Sequence, residues 1–430
     1  MWQRWMLFLC SLLVSVTAYA VVLGESNGKE LTPEEFKDEF PFVVSVRASI
    51  FAEDHVCGGT VVGKRWVLTA AHCLVASDAS LENDSVNTEN FSLYDVAKPK
   101  EISVTAGLAD LKDATLADIY KVTHVVIHPD YMPVHTTTTD ETGLTSVEST
   151  AYQHDLALLY VERDFELLVD DAYVPLNAVS LVDDDSYQRL TDLGADWDSA
   201  NPEPNVTVVG WGSGGDGDPK IGDSSTVVRH TQVSFYPIDL CFNRLESAEE
   251  LPIYIESPVD PSKLCTLPTE TITQGDNIYG NGACVGDTGG PLLLKVGDAW
   301  VQVGVISAGP IINSVCSSVT LPTWYSNLTE YLQWIVSYTS APSAPEEVVS
   351  KPGFLLAQDN DDEATNEGDS GGTDEGEEPV TEEQCDDPSS INIGGSESSF
   401  GCNSNDSGGA LEGLTLLSLL LLGFIRERFY

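Results

Sequence analysis

Three separated stretches of this chain carry side chains that together can act on an acyl carbon. "WVLTAAHC" holds an imidazole at His72, "HDLALLYVE" a carboxylate at Asp155, and "GACVGDTGGPLLL", residues 282–294, a hydroxyl at Thr288. Acyl transfer needs a nucleophile, a base to take its proton, and a buried carboxylate to hold that base in one tautomer. The three stretches supply one of each. A second string, "GDSGG" at 368–372, offers Ser370. It has no cysteine two residues upstream of its glycine, no proline after it and no apolar strand on either side, so nothing holds Ser370 in a tight turn. A tract rich in Gly, Asp and Ser generates such strings by composition, and Ser370 is set aside.

Positioning groups from three distant segments requires a packed scaffold. From Pro41 to about Tyr338 the sequence runs as short apolar stretches split by Gly, Asn, Asp and Pro, among them "FVVSV", "ISVTAG", "HVVIH", "VTVVGWG" and "VQVGVISAG". This pattern predicts many β-strands and few helices, arranged as antiparallel barrels or a sandwich. One helix closes the segment, with Asn327 as its cap, Glu330 three places on, and Leu328, Tyr331, Leu332 and Ile335 forming one apolar stripe. His128 in "HPDY" and His154 beside Asp155 read as structural or surface residues. No internal repeat is present.

The chain has 430 residues, 42% of them hydrophobic, enough to bury a full core. Its 68 acidic and 20 basic residues give a formal charge of −48, which repels phosphate backbones and anionic membranes and so excludes nucleic-acid binding. Residues 1–20 place Arg4 before an apolar run and end in Ala18-Tyr19-Ala20, the pattern of a signal peptide; the run is shorter than the ~20 residues needed to span a bilayer. Removing Cys10 with that segment leaves eight of the nine cysteines, an even number that in an exported chain favours disulfides. No C-x-x-C pair occurs, so neither a zinc site nor any other metal or cofactor is expected.

The three stretches, in the order His, Asp, nucleophile, together with "VVGWGSG" at 208–214 and the closing helix, resemble the chymotrypsin-fold, trypsin-like serine peptidases over residues 21–340. The resemblance implies an all-β fold of two antiparallel six-stranded Greek-key barrels with a C-terminal helix. It implies a secreted endopeptidase, monomeric, acting on protein or peptide substrates, with His72, Asp155 and Thr288 as its triad. Gly286 and Thr288 would supply the backbone N–H groups of an oxyanion hole. Four disulfides are expected: Cys57–Cys73, Cys241–Cys265, Cys284–Cys316, and Cys385–Cys402 within the tail. A new N-terminus at Val21 would fold inward to pair with Asp287. The primary pocket would be built from Gly282, Ala283, Ser307, Gly309 and Thr323, and with no acidic residue at 282 it should prefer uncharged, small or medium P1 side chains. The departure from the family pattern is Thr288, where the family has serine. Its extra methyl stiffens χ1 and occupies space near the attacked carbonyl, and a misplacement near 1 Å costs about a hundredfold in rate. A protease fold that binds a partner without turning it over is therefore the alternative reading.

Residues 341–406 read as an acidic, Gly/Ser-rich linker with too little apolar content for a core. Residues 407–430 place Ser407-Gly408-Gly409 before an apolar stretch and a basic end. This resembles the Gly-Gly sorting tail of exported Gram-negative proteins and implies C-terminal processing, transient membrane association and release through the periplasm to the surface or medium. A glycolipid-anchor signal and a plain single-pass anchor are the alternatives.

Overall fold

The computed structural model describes residues 21–23, 28–48, 55–77, 94–133, 137–139, 145–147, 153–170, 172–213, 224–246, 254–274, 277–310, 316–356, 392–393 and 396–397. The signal-like segment 1–20, Ser370, Cys385, Cys402 and Ser407-Gly408-Gly409 lie outside the described residues.

Twelve strands rich in Val, Ile, Leu and Thr, residues suited to a pleated, half-buried surface, form two closed barrels. The first comprises β1 (Val43–Ala48), β2 (His55–Gly63), β3 (Trp66–Thr69), β4 (Ile102–Thr105), β5 (Ile119–Ile127) and β6 (Ala157–Val161). The second comprises β7 (Val206–Gly210), β8 (Arg229–Tyr236), β9 (Lys263–Leu267), β10 (Pro291–Val296), β11 (Ala299–Ala308) and β12 (Thr323–Asn327). Neighbours run β1-β2-β3-β6-β5-β4 and back to β1, and the second barrel repeats this as β7-β8-β9-β12-β11-β10 and back to β7. Every pairing within the barrels is antiparallel, and closure leaves no barrel edge to be covered. The expected fold class is the observed one.

Among the described residues four helices accompany the barrels: α1 (Pro33–Glu39), α2 (Asp184–Ala195), α3 (Ile238–Glu246) and α4 (Leu328–Thr339). Only α4 was expected from the sequence. Asn327 caps it by accepting from the Thr329 amide at 3.1 Å, and Leu328, Tyr331 and Ile335 are buried along its inner face. In α1 a Thr32/Glu35 capping box sets the start, and Phe36 and Phe40 fill the core, Phe36 meeting Trp211 edge-on at 5.9 Å. One cluster of buried apolar side chains runs continuously through both barrels.

The stretch that reads as linker from 341 begins differently. Val349–Ser350 adds a parallel pairing to β5, the Val125 amide donates to the Val348 carbonyl at 2.9 Å, and the Gly353 amide donates to the Pro129 carbonyl at 2.7 Å. Leu355 is buried and Phe354 packs edge-on against Tyr94. Gly353, Phe354 and Leu355 thus strap the chain after α4 back onto the first barrel, so the packed unit extends past 340.

Candidate active site

The register of β3 against β6 pairs Thr69 with Ala157, so the residues just after β3 and just before β6 emerge at the same barrel end. His72 lies there in the short 3-10 turn Ala71–Cys73, facing Asp155. Its Nδ1 is 2.8 Å from Asp155 Oδ2, and its backbone amide donates to Oδ1 at 2.9 Å. Ser307 Oγ donates to Oδ2 at 2.6 Å, and Ser326 Oγ to the Asp155 carbonyl at 3.0 Å. Burial pushes the Asp155 carboxyl up, but the His72 ring, the Ser307 hydroxyl and the His72 amide outweigh it and hold the pKa below the ordinary value. An ionised carboxylate only accepts, so the neutral ring carries its proton on Nδ1 and keeps the Nε2 lone pair.

The 282–290 segment docks against this end from the second barrel. The Gly58 amide donates to the Thr288 carbonyl at 2.7 Å, and that carbonyl lies 3.9 Å from Sγ of Cys73, the neighbour of His72. Gly289 has φ +81°, and a Cβ there would sit 2.2 Å from Thr69 Oγ1 and 2.4 Å from the Gly58 carbonyl. Only glycine permits so close a docking. Within the turn the Asp287 amide donates to Cys284 and the Gly290 amide to Asp287. Gly286, at φ +95°, turns its carbonyl to His55 Nε2 at 2.7 Å, while His55 Nδ1 meets Ser45 Oγ at 2.7 Å. A carbonyl only accepts, so Nε2 is the protonated nitrogen. Burial keeps the ring neutral, with its pKa lowered to about 4. Among the described residues no acceptor meets the amide N–H of Gly286 or of Thr288.

The sequence profile of the trypsin family matches residues 28–335. The chain belongs to the trypsin family. It is 25% identical over 305 residues to a lectizyme of Glossina austeni, covering 70% of this chain and 83% of that protein. It is 25% identical to a phenoloxidase-activating enzyme of Bombyx mori over 69% of this chain and 57% of that protein, and 25% identical to serine protease 28 of Mus musculus over 69% and 84%.

Three of the disulfides expected from the family are formed, Cys57–Cys73, Cys241–Cys265 and Cys284–Cys316. The last ties the segment that carries Gly282 and Ala283 to the one that carries Ser317, a residue the sequence reading missed. A Cβ at Gly282 would fall 2.7 Å from Ser317 Oγ, and one at Gly309 would fall 2.9 Å from Thr323 Oγ1. Two hydroxyls therefore stand where side chains at these glycines would project. Ser307, expected as pocket wall, spends its hydroxyl on Asp155. Val22 exchanges two backbone bonds with Gly282, at 2.9 and 3.0 Å, and Val21 is fully buried. The Asp287 carboxyl accepts from the Gly212 amide at 2.8 Å and the Cys284 amide at 2.9 Å, and burial pushes its pKa up to about 7.

His55, Ser45 and Ser326 also escaped the sequence reading. His55 lies 231 residues from Gly286 in the chain, and nothing in "EDHVCGG" marks it as a partner of the 282–290 turn. Among the described residues no group of three or more His, Cys, Asp or Glu side chains is placed to hold a metal ion.

Proposed function

We propose that this trypsin-family protein is an endopeptidase in which Thr288 attacks the peptide carbonyl. His72 Nε2 takes the hydroxyl proton and later passes it to the leaving amine, while Asp155 holds the ring and stabilises its charged form. The Gly286 and Thr288 amides receive the developing oxyanion, each such donor being worth ~3 to 4 kcal/mol of barrier. The observation that carries this reading is the two-point grip of Asp155 on His72, at 2.8 and 2.9 Å, beside a turn whose amides at 286 and 288 meet no acceptor among the described residues.

Gly282, Ser317, Gly309 and Thr323 offer a primary pocket without charge, which supports cleavage after short, uncharged residues. Turnover of a mixed peptide library by purified protein, with His72→Ala as control, tests both points. Cleavage sites should follow uncharged P1 residues and vanish in the variant; cuts mostly after Arg or Lys would overturn the pocket assignment.

Thr288 itself supports a second reading. If its methyl blocks approach of the carbonyl, the same cleft binds a peptide without cleaving it, and the library is retained but uncut. We further propose that the protein is exported, that maturation exposes Val21, and that the chain is processed at Ser407-Gly408-Gly409. Intact-mass measurement of secreted protein should find none of the peptide following Gly409; a mass that includes Arg426 would remove the processing step.

A further inference from the structure

The residue before Asp155 has an unusual setting. His154 adopts φ +50°, a left-handed conformation that costs energy for a residue with a Cβ. Asp155 is the middle residue of the tight turn that follows, closed by the Leu156 amide donating to the His154 carbonyl at 2.8 Å. Something must hold this turn, and the neighbouring side chains do so. The His154 ring lies parallel to that of His128, with centroids 5.3 Å apart and planes 10° apart. Its Nδ1 is 3.1 Å from the Tyr331 hydroxyl of α4. His128 in turn meets Trp334 of α4 at 4.9 Å, and its own amide donates to the Leu156 carbonyl at 3.0 Å.

The arrangement suits neutral rings only. The Asp130 amide donates to His128 Nδ1 at 3.2 Å, so that atom must keep its lone pair. Two parallel imidazolium rings at this spacing would repel each other. Burial lowers the pKa of both rings, that of His128 to about 4. The groups with charge or protons that face the stack are Asp130 from its own turn, Glu256, Asp260 and Lys263 around the start of β9, and Tyr331 from α4.

We propose that the stacked His128–His154 pair is a positioning device for Asp155: the two rings clamp the left-handed turn that aims the carboxylate at His72, and they release it when they take up protons. The proposal rests on the catalytic reading of Asp155. Acidification then disables the site by moving the carboxylate.

Two variants of the full chain test it on an N-acylated tetrapeptide p-nitroanilide with alanine at P1, at pH values where circular dichroism shows folded protein. His154→Asn keeps a residue that tolerates the left-handed backbone but lacks the ring. Its kcat should fall about tenfold at pH 8 with KM within twofold, a split that general destabilisation does not produce. His128→Phe keeps an aromatic face that cannot be charged. On the acid side the unmodified chain should lose kcat more steeply than tenfold per pH unit, and His128→Phe should return to tenfold per unit. Equal acid limbs, or an unchanged kcat in His154→Asn, would overturn the proposal. If neither the chain nor its Thr288→Ser form turns over the substrate, the catalytic reading fails, and proton NMR decides the positioning claim separately. The low-field His72 Nδ1–H resonance should disappear together with protonation of His128 and persist to lower pH in His128→Phe. Its loss at the same pH in both proteins would refute the clamp.

Discussion

Blocking the amino group of a chain that begins at Val21 should cost stability in a manner that depends on pH. Asp287 is fully buried and its carboxyl accepts from two backbone amides, which leaves its pKa at about 7. With Val21 acetylated no ammonium is available to pair with it. The folded state then retains a proton between about pH 4 and 7 that the unfolded chain has released, so stability is fully present below the unfolded pKa and is lost as pH rises to 7. A shift of roughly three units at ~1.36 kcal/mol each amounts to about 4 kcal/mol. A free Val21 ammonium beside the carboxylate restores an ordinary or lower pKa and removes that loss.

The measurement is urea unfolding of the acetylated and free-amine chains at pH 5, 6, 7 and 8, followed by tryptophan fluorescence. The difference between the two forms should grow steadily and approach about 4 kcal/mol at pH 8. His55 and His128, whose pKa values burial lowers to about 4, tilt stability the opposite way: their contribution is present above about pH 6.5 and lost as pH falls toward 4. Both forms share that tilt, so it cancels in the difference. Asp287→Asn in the acetylated chain should remove the loss of stability on raising pH from 5 to 7 and leave only the opposite tilt from His55 and His128. A difference that stays constant from pH 5 to 8 would mean that Val21 does not reach Asp287, and the inward-folding N-terminus would have to be abandoned.

Thr288→Ser should raise kcat about a hundredfold, equivalent to roughly 3 kcal/mol of barrier, with KM nearly unchanged; steady-state kinetics beside Ser370→Ala, which should match the parent, check it. His55→Ala frees the Gly286 peptide to rotate, and losing one oxyanion donor should lower kcat by about a hundredfold in the same assay with little effect on KM. Gly282→Asp alone should not create cleavage after Arg, because its Cβ meets Ser317 Oγ, whereas Gly282→Asp with Ser317→Gly should; profiling both against Arg and Ala peptides separates them.

The strands were legible from their short apolar runs, while the two barrels and the meeting of His72 with Asp155 were expected from the family resemblance; the register that pairs Thr69 with Ala157 is what carries the two strand ends to one place. The order in which those strands pair came only through family resemblance, since alternation marks a strand without naming its partner. What escaped are groups whose role exists only across the fold. His55 is one histidine in an unremarkable strand until Gly286 arrives from the other barrel. The strap at 348–355 was hidden for a different reason: its few apolar residues are diluted by the acidic tract that follows, and the packing of Phe354 and Leu355 needs only one groove to fill. Thr288 is the converse case. The backbone of its turn is set by Gly286, Gly289 and the contacts with Gly58, Thr69 and Ile306, none of which involve the side chain at 288. The turn therefore folds alike around serine or threonine, so the fold constrains the amides at 286 and 288 and leaves the side chain at 288 to chemistry. That is why the rate of the chain against that of its Thr288→Ser variant, measured with the scaffold held constant, decides between catalysis and binding where no further structural likeness to the family can.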